Sequence, residues 1–287
     1  MHRRFSIKHQ QNVCITGAGG FIGGKLFSKL KLINPIGISH GMESNQMGNV
    51  INIDLRDESL VNSFFQEYSV KVIYHFAGLN YPHINEKKPL LAEESHINIT
   101  NNILNNIEGS THIIFLSTDK IFDGIDTFPN EKTKPNPQWL YSGLKLQCEK
   151  IIQQRIKKYH ILRLPIVHSF GDDDALSKMA GPSPFIDKAI KNLKAGQEVK
   201  VFDNVYRCFL RLDELVTLLV MLMNDTHYGV YHIGSKMMSY YDRLKMLCDE
   251  LQIKWKGKLI PISGKVSPMS QNLDTSALRN TFSYILT

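Results

Sequence analysis

A doubly wound parallel sheet with helices on both faces, followed by a smaller mixed α/β portion, is the fold this 287-residue chain predicts. Three observations predict it. Short apolar runs alternate with helical patterns through the first 164 residues, the rhythm of a parallel sheet with crossover helices. Several of those runs are apolar almost throughout, as strands buried on both faces are. After Leu164 the rhythm breaks into turn-rich, irregular sequence.

The candidate strands of the first part are Val13–Thr16, Ile36–Ser39, Val50–Asp54, Val70–His75, His112–Ser117 and Tyr159–Leu164. Ile22, Leu26, Leu30 and Ile33 recur at helical spacing after the first of them. Asp57 is placed to cap a helix over Glu58–Tyr68. Ile99, Ile103 and Ile107 share one face of Asn98–Ile107, and Leu144, Cys148, Ile151 and Ile152 form the stripe of Leu140–Lys158. Right-handed crossovers would link these into a Rossmann-type sheet. Beyond it, Pro165, Ser169–Gly171, Asp172-Asp173-Asp174 and Gly181-Pro182-Ser183-Pro184 read as loops. Helices are expected at Phe185–Leu193, Asp213–Met223 and Tyr240–Leu251, and strands at Val199–Phe202 and Val230–Ile233. Residues 1–164 thus read as a dinucleotide-binding domain and 165–287 as a mainly substrate-binding portion, with some later elements packing back on the first sheet.

The apolar share is 43% and the formal net charge is +7. The densest basic groups, Met1-His2-Arg3-Arg4, Glu86-Lys87-Lys88 and Arg155-Ile156-Lys157-Lys158, lack interleaved aromatics, so a nucleic-acid partner is not expected. A phosphate-bearing small molecule uses such charge equally well. Cys14, Cys148, Cys208 and Cys248 form no CxxC and read as free thiols of a reducing compartment. No apolar stretch is long enough to span a bilayer, and no signal-peptide core is present. A cytoplasmic protein is the resulting expectation, with no membrane partner. The histidines do not pair with Cys or Glu at ligand spacing, so no metal is expected. His75 and His112 read as core or strand-edge residues.

Val13-Cys14-Ile15-Thr16 runs straight into Gly17-Ala18-Gly19-Gly20-Phe21-Ile22-Gly23-Gly24. Glycines let backbone approach a pyrophosphate, and the helix that follows offers free N–H groups with partial positive charge. The spacing is G-x-x-G-x-x-G through Gly17, Gly20 and Gly23. A tight turn without a ligand is the plainer alternative. Asp54-Leu55, at the end of the third strand, is placed to bond an adenine amino group and cover its ring, or merely ends a strand. At the end of the second strand, Ser39-His40 stands where a carboxylate would select NAD. The small hydroxyl leaves room for a 2′-phosphate and favours NADP(H) over NAD(H).

Tyr141 and Lys145 lie four apart at the start of a helix, on one face. A phenol titrates near ~10, and a neighbouring ammonium stabilises its anion and moves it toward working pH. A surface Tyr and Lys at helical spacing is the alternative. Ser117-Thr118-Asp119 ends a strand at the ligand-binding edge of such a sheet. Thr118 is placed to bond a substrate carbonyl, whereas Asp119 reads as a strand-end cap.

Together these pieces resemble the extended short-chain dehydrogenase/reductases, and within them the dTDP-4-dehydrorhamnose reductase family. The stretches that carry the resemblance are Thr16–Gly23, His75-Phe76-Ala77-Gly78, Ser117-Thr118-Asp119-Lys120-Ile121-Phe122-Asp123-Gly124, Tyr141–Leu146, Leu162-Arg163-Leu164 and Asn272–Leu278. The resemblance implies reduction of a keto group on a nucleotide-linked deoxysugar, in nucleotide-sugar or surface-polysaccharide biosynthesis. It implies that Tyr141 protonates the new hydroxyl, Lys145 tunes Tyr141 and holds cofactor, and Thr118 orients the carbonyl. It also implies cofactor contacts at Gly20, Phe21, Ile22, Asp54, Leu55, Ala77, Gly78 and Leu79. Three positions depart from the family: Lys120 replaces a Tyr, Ile166 a Trp, and Ser267 the Arg of an Arg-Pro pair. All three belong to the expected sugar-nucleotide site with Asp119, so the acceptor need not be dehydrorhamnose. Tyr206-Arg207 is similar to related epimerases, in which an Arg meets the diphosphate; a surface ion pair is the alternative for Arg207. An epimerase or dehydratase with bound NAD would share the Tyr/Lys site, and a catalytically silent, cofactor-binding regulatory subunit would share the fold. A homodimer is compatible with each.

Overall fold

The computed structural model describes residues 9–10, 13–41, 48–80, 82–169, 185–265, 268 and 270–282. The Met1–Arg4 group, the Asp172–Asp174 and Gly181–Pro184 loops and Ser267 lie outside the described residues.

The apolar runs become strands where the sequence places them. They are β1 (Val13–Thr16), β2 (Ile36–Ser39), β3 (Val50–Asn52), β4 (Val72–His75), β5 (His112–Thr118) and β6 (Tyr159–Leu164). Further along the chain lie β7 (Ile166–His168), β8 (Val199–Phe202), β9 (Tyr206–Arg207), β10 (Phe209–Arg211) and β11 (Gly229–His232). The last are β12 (Met238–Ser239), β13 (Leu259–Ile262) and β14 (Ser270–Gln271). The main sheet has seven strands in the order β11-β6-β5-β4-β1-β2-β3. The pairs β1–β2, β2–β3, β1–β4 and β4–β5 are parallel. Every residue of β1, β2 and β5 is buried, which explains why apolar residues fill most of their positions.

The helices are α1 (Phe21–Lys29), α2 (Glu58–Glu67), α3 (Pro82–Lys87), α4 (Pro89–Glu93), α5 (Ile99–Asn105) and α6 (Leu140–Arg155). They continue with α7 (Phe185–Lys194), α8 (Leu212–Leu222), α9 (Tyr240–Glu250) and α10 (Ser276–Phe282). Asp57 caps α2 as expected, its side chain accepting from the backbone N–H of Ser59 and Leu60. Several element ends differ from the sequence pattern: β3 stops at Asn52 and not Asp54, β4 starts at Val72 and not Val70, and α5 stops at Asn105 and not Ile107. α1 ends at Lys29, where Asn34 then turns left-handed at φ 50°, so Ile33 leaves the apolar stripe and is half exposed. Tyr68 leaves α2 for an extended conformation and pairs beside His9. α6 stops at Arg155, short of Lys158. A π turn, Glu94–Asn98, joins α4 to α5.

Two compact units form. The first comprises 1–117, 139–161 and 218–229; the second comprises 118–138, 162–217 and 230–287. The core of the first packs Cys14, Ile36, Ile38 and Ile73 against Val61, Phe64, Ile99 and Ile103 of α2 and α5. The second builds its own core from Ile186, Ile190 and Leu193 of α7, Val199, Val201 and Phe209, and Leu244 and Leu247 of α9. Each such side chain contributes roughly 1.5–3 kcal/mol by leaving water. In the second unit, β7 pairs in parallel with β10 and β8 with β13, while β9 lies between β12 and β14. All four cysteines are free and buried. Among the described residues, no helix is long and apolar enough to cross a membrane, and no cluster of His, Cys, Asp and Glu could hold a metal.

Candidate functional site

In the first unit the strand order reverses around β1, so the turn that leaves its C-terminal end opens at a crevice where ligands bind in such sheets. Gly17 sits there at φ +70°, a conformation L side chains avoid, and a Cβ on it would meet the Ala77 nitrogen at 3.0 Å. A Cβ on Gly23 would fall 2.1 Å from the Gly17 carbonyl oxygen, so only glycine lets α1 start this close to the turn. The Gly20 N–H closes the turn on the Gly17 carbonyl at 2.9 Å. No side chain caps α1. Its first N–H groups, including those of Phe21 and Ile22, therefore remain donors for an anion.

Thr16 fastens the neighbouring loop to this turn. Its Oγ1 accepts from the N–H of Phe76 and of Ala77, both at 3.1 Å, and meets His75 Nδ1 at 3.1 Å. His75 Nε2 meets Thr100 Oγ1 at 3.0 Å, and Thr100 donates to the His96 carbonyl at 2.7 Å. His75 is fully buried, and desolvation with the Lys145 charge holds it neutral, down to about 3. It is a core histidine, as its strand pattern predicts. Leu79, the last residue of this loop assigned to cofactor, has its carbonyl held by Asn85 Nδ2 at 2.7 Å and His96 Nε2 at 3.2 Å.

On the other side of β1, Ser39 is buried at the end of β2 and its carbonyl accepts from Ile53 N–H. Asp54 follows β3, and its carboxylate is gripped by Arg56: Nε to Oδ1 at 2.9 Å and Nη2 to Oδ2 at 2.6 Å. That bonding lowers the Asp54 carboxyl to about 2, with His40 adding a weaker pull. Leu55 is buried, and Asn102 Nδ2 holds its carbonyl and that of Arg56. Arg56 is a residue the sequence reading missed, although its place two positions after Asp54 was the signal.

Tyr141 and Lys145 lie on α6. Lys145 is buried to 2% exposure, its ammonium donates to the Leu116 carbonyl at 3.0 Å, and it rides 4.8 Å from the Phe115 ring. Burial lowers it to about 8, against the opposing pull of Cys148 and Glu149. Glu149 is itself buried and accepts a short hydrogen bond from Ser117 Oγ. The Tyr141 ring meets the His96 ring edge-on, centroids 5.8 Å apart. One unit thus carries the glycine turn, the 76–79 loop, Asp54-Leu55, Tyr141 and Lys145. Chemically, an ammonium this dry and this near to proton loss is suited to moving or sharing a proton with a phenol.

The second unit holds Thr118, Asp119, Lys120, Ile166 and Arg207. Thr118, at the end of β5, accepts from Lys120 N–H at 3.3 Å and donates to Asp119 Oδ1 at 3.3 Å. The capping of the turn after β5 therefore belongs to Thr118, and Asp119 is buried instead. Desolvation pushes the Asp119 carboxyl up to about 6, while the charges of Lys120 and Arg207 pull it down. Gln271 Nε2 donates to the Asp119 carbonyl at 2.7 Å. Arg207 spends its guanidinium on backbone, Nη1 to the Tyr206 carbonyl and Nη2 to the Pro268 carbonyl. Thr118, Asp119, Lys120 and Arg207 form one electrostatic group. Ile166 pairs with Phe209 in β7–β10 and packs beside the core of α7 and α9.

A family model described as "NAD dependent epimerase/dehydratase family" matches residues 13–234. Among curated proteins the chain is similar to methionine adenosyltransferase 2 subunit beta of Xenopus laevis, 26% identical over 277 residues that span 92% of this chain and 80% of the relative. The Danio rerio counterpart is 24% identical over 281 residues, 93% of this chain and 84% of the relative. Among solved structures, dTDP-4-dehydrorhamnose reductase from Bacillus anthracis, in complex with NADP, aligns with a TM-score of 0.81 at 20% identity and covers 98% of this chain and 95% of that one. UDP-glucose 4-epimerase from Thermotoga maritima aligns with a TM-score of 0.79 at 19% identity and covers 94% of this chain and 92% of that one. At such identities the structural likeness speaks for the fold.

Proposed function

The chain belongs to the NAD-dependent epimerase/dehydratase family of extended short-chain dehydrogenase/reductases, and from that premise we propose that it is an NADP(H)-dependent reductase of a keto group on a nucleotide-linked sugar. One observation carries the reading: Lys145 is buried beneath Phe115 and Leu116, one helical turn from Tyr141, in the unit that also carries the glycine turn. Residues 1–164 form the cofactor-binding domain in this reading, lending Thr118, Asp119 and Lys120 to the substrate, and 165–287 mainly bind substrate; the protein works in the cytoplasm, singly or as a homodimer.

The roles follow from the chemistry of each group. The uncapped N–H groups of α1 with Gly17, Gly20 and Gly23 receive the pyrophosphate. Asp54 and Leu55 receive the adenine; Ser39 leaves space for the 2′-phosphate, with Arg56 adding positive charge beside Asp54. Ala77, Gly78 and Leu79 line the path toward the nicotinamide, which supplies a hydride when bound. Thr118 donates to the keto oxygen, Tyr141 delivers a proton to it, and Lys145 favours the phenolate that remains. Asp119, Lys120, Ile166 and Arg207 contact the sugar nucleotide, Arg207 through charge toward the diphosphate.

The likeness to methionine adenosyltransferase 2 subunit beta favours a second reading, a cofactor-binding regulatory subunit without turnover. One experiment separates the two. The purified chain is given NADPH or NADH with a panel of keto sugar nucleotides, in parallel with Tyr141→Phe. Oxidation of NADPH that disappears in the variant supports the reductase. Cofactor binding with no turnover on any substrate, together with a stable complex with a methionine adenosyltransferase catalytic subunit, supports the second reading. Conversion of a sugar nucleotide without net cofactor consumption would mark an epimerase.

A further inference from the structure

His96 is the one titratable side chain that touches both the 78–79 loop and Tyr141 among the contacts described above, and the proposed chemistry leaves it unused. It is 1% exposed and sits inside the π turn Glu94–Asn98. Such turns interrupt helices most often at functional sites, because the extra residue re-aims a side chain. The turn aims this one at three neighbours. Nε2 lies 3.2 Å from the Leu79 carbonyl. A carbonyl only accepts, so Nε2 carries the proton and Nδ1 is left as an acceptor. Cε1 and Nδ1 lie where a Cβ on Gly78 would come within 3.0 Å, and Gly78 holds φ +153°, which a side chain rarely adopts. The ring edge faces Tyr141.

The backbone that carries the imidazole is fixed as well. The His96 carbonyl accepts from Thr100 Oγ1 at 2.7 Å and from Cys148 Sγ at 3.4 Å. Thr100 in turn meets His75, which meets Thr16 at the end of β1. A polar chain therefore runs through the buried core from Thr16, at the end of β1, to the backbone carbonyl of His96. Desolvation and the Lys145 charge keep the imidazole uncharged, with its pKa down at about 3.

We infer that His96 is a positioning residue of this site: its neutral imidazole donates from Nε2 to the Leu79 carbonyl, occupies the space Gly78 leaves, and braces the Tyr141 ring, so that the cofactor-facing loop and the phenol keep one spacing. The inference rests on the cofactor reading above for its consequence, though its tautomer does not depend on it.

The test has two arms. Long-range 15N correlation spectra of the full chain without cofactor, with the His96 signal identified by its loss in His96→Phe, should show the Nε2–H tautomer. An Nδ1–H tautomer or an imidazolium at neutral pH overturns the inference. In the second arm NADPH and NADH are titrated by fluorescence. His96→Phe keeps a ring against Tyr141 but loses the donor, and should weaken NADPH binding about tenfold, the order of one lost hydrogen bond to a buried acceptor. His96→Gln restores an N–H and should return binding to within about threefold of wild type. Wild-type affinity in His96→Phe overturns the inference, as does equal weakening in both variants with parallel losses of melting temperature. If the wild-type chain binds neither cofactor, the cofactor reading itself falls, and the tautomer measurement keeps that failure distinguishable.

Discussion

Replacing Gly23 by Ala should disrupt the glycine turn while leaving the rest of the sheet able to fold. The added Cβ would stand 2.1 Å from the Gly17 oxygen, 2.9 Å from its carbonyl carbon and 3.2 Å from the Ala18 Cα. These are backbone atoms, so no side chain can swing aside to make room. Relief requires the Gly17 carbonyl to move by about 1 Å, judged from ordinary van der Waals separation. That displacement breaks the 2.9 Å hydrogen bond from Gly20 N–H, a loss of about 0.5–1.5 kcal/mol. The overpacking itself costs about 1–3 kcal/mol. A total near 3 kcal/mol lowers the melting temperature by about 6–12 °C in a chain of this size. Gly143 is the control: it lies in α6 with nothing within 4 Å of its Cβ position. Gly143→Ala should therefore be neutral or stabilising by up to about 1 kcal/mol from helix propensity. The assay pairs thermal melting with NADPH titration. If Gly23→Ala melts with the wild type and binds cofactor as tightly, the steric reasoning is wrong and the turn is not the pyrophosphate cradle.

Tyr141→Phe should lower turnover by orders of magnitude with cofactor affinity retained, since only the proton donor is removed; steady-state kinetics beside a binding titration checks it. Lys145→Met should also abolish turnover, and because it removes a buried cation its melting temperature should fall little; a large fall with intact turnover would make Lys145 structural. Stability should decline in mild acid. Burial pushes His75, His96 and His232 to about 3 and His112 and His168 to about 4, so the fold needs them neutral. Unfolded imidazoles take their protons near ~6.5. The stability these five contribute is thus complete above ~6.5 and is lost as pH falls toward the folded values. Asp119, raised to about 6, works in the opposite direction as a single group. Melting curves from about pH 7.5 to about pH 5 should show a falling Tm, and a flat profile would contradict the burial argument.

The strands were legible because burial on both faces writes itself into composition: Val13–Thr16, Ile36–Ser39 and Tyr159–Leu164 begin and end where the apolar runs do. The glycine turn was legible for a similar reason, since the steric demand at Gly17 and Gly23 is local and allows only one residue type. What escaped is non-local. His96 acquires its contacts from residues 17 positions before it and 45 after it, through a π turn that leaves no pattern in the helical spacing. Arg56 escaped for a different reason: a carboxylate at the end of a strand reads as an acceptor for a ligand, and the guanidinium two residues along competes for it. The division into units was legible only in part: the sequence expects later elements to return to the first sheet, and 218–229 groups with the first unit, but that 118–138 groups with the second was not legible. No boundary on a linear sequence expresses that.

The cofactor cradle alone does not choose between a reductase and a silent subunit, because both readings bind a dinucleotide at the same turn. Lys145 bears on the choice. An ammonium at 2% exposure pays several kcal/mol in lost hydration. The Leu116 carbonyl and the Phe115 ring offset part of it, and desolvation still lowers the ammonium to about 8. A chain that needed α6 only as packing could place an apolar side chain here at less cost. A group held dry and close to proton loss beside a phenol is instead what proton transfer near neutral pH requires. The desolvation cost falls on Lys145 rather than on the glycine turn, so it favours the enzyme over a scaffold that merely holds cofactor.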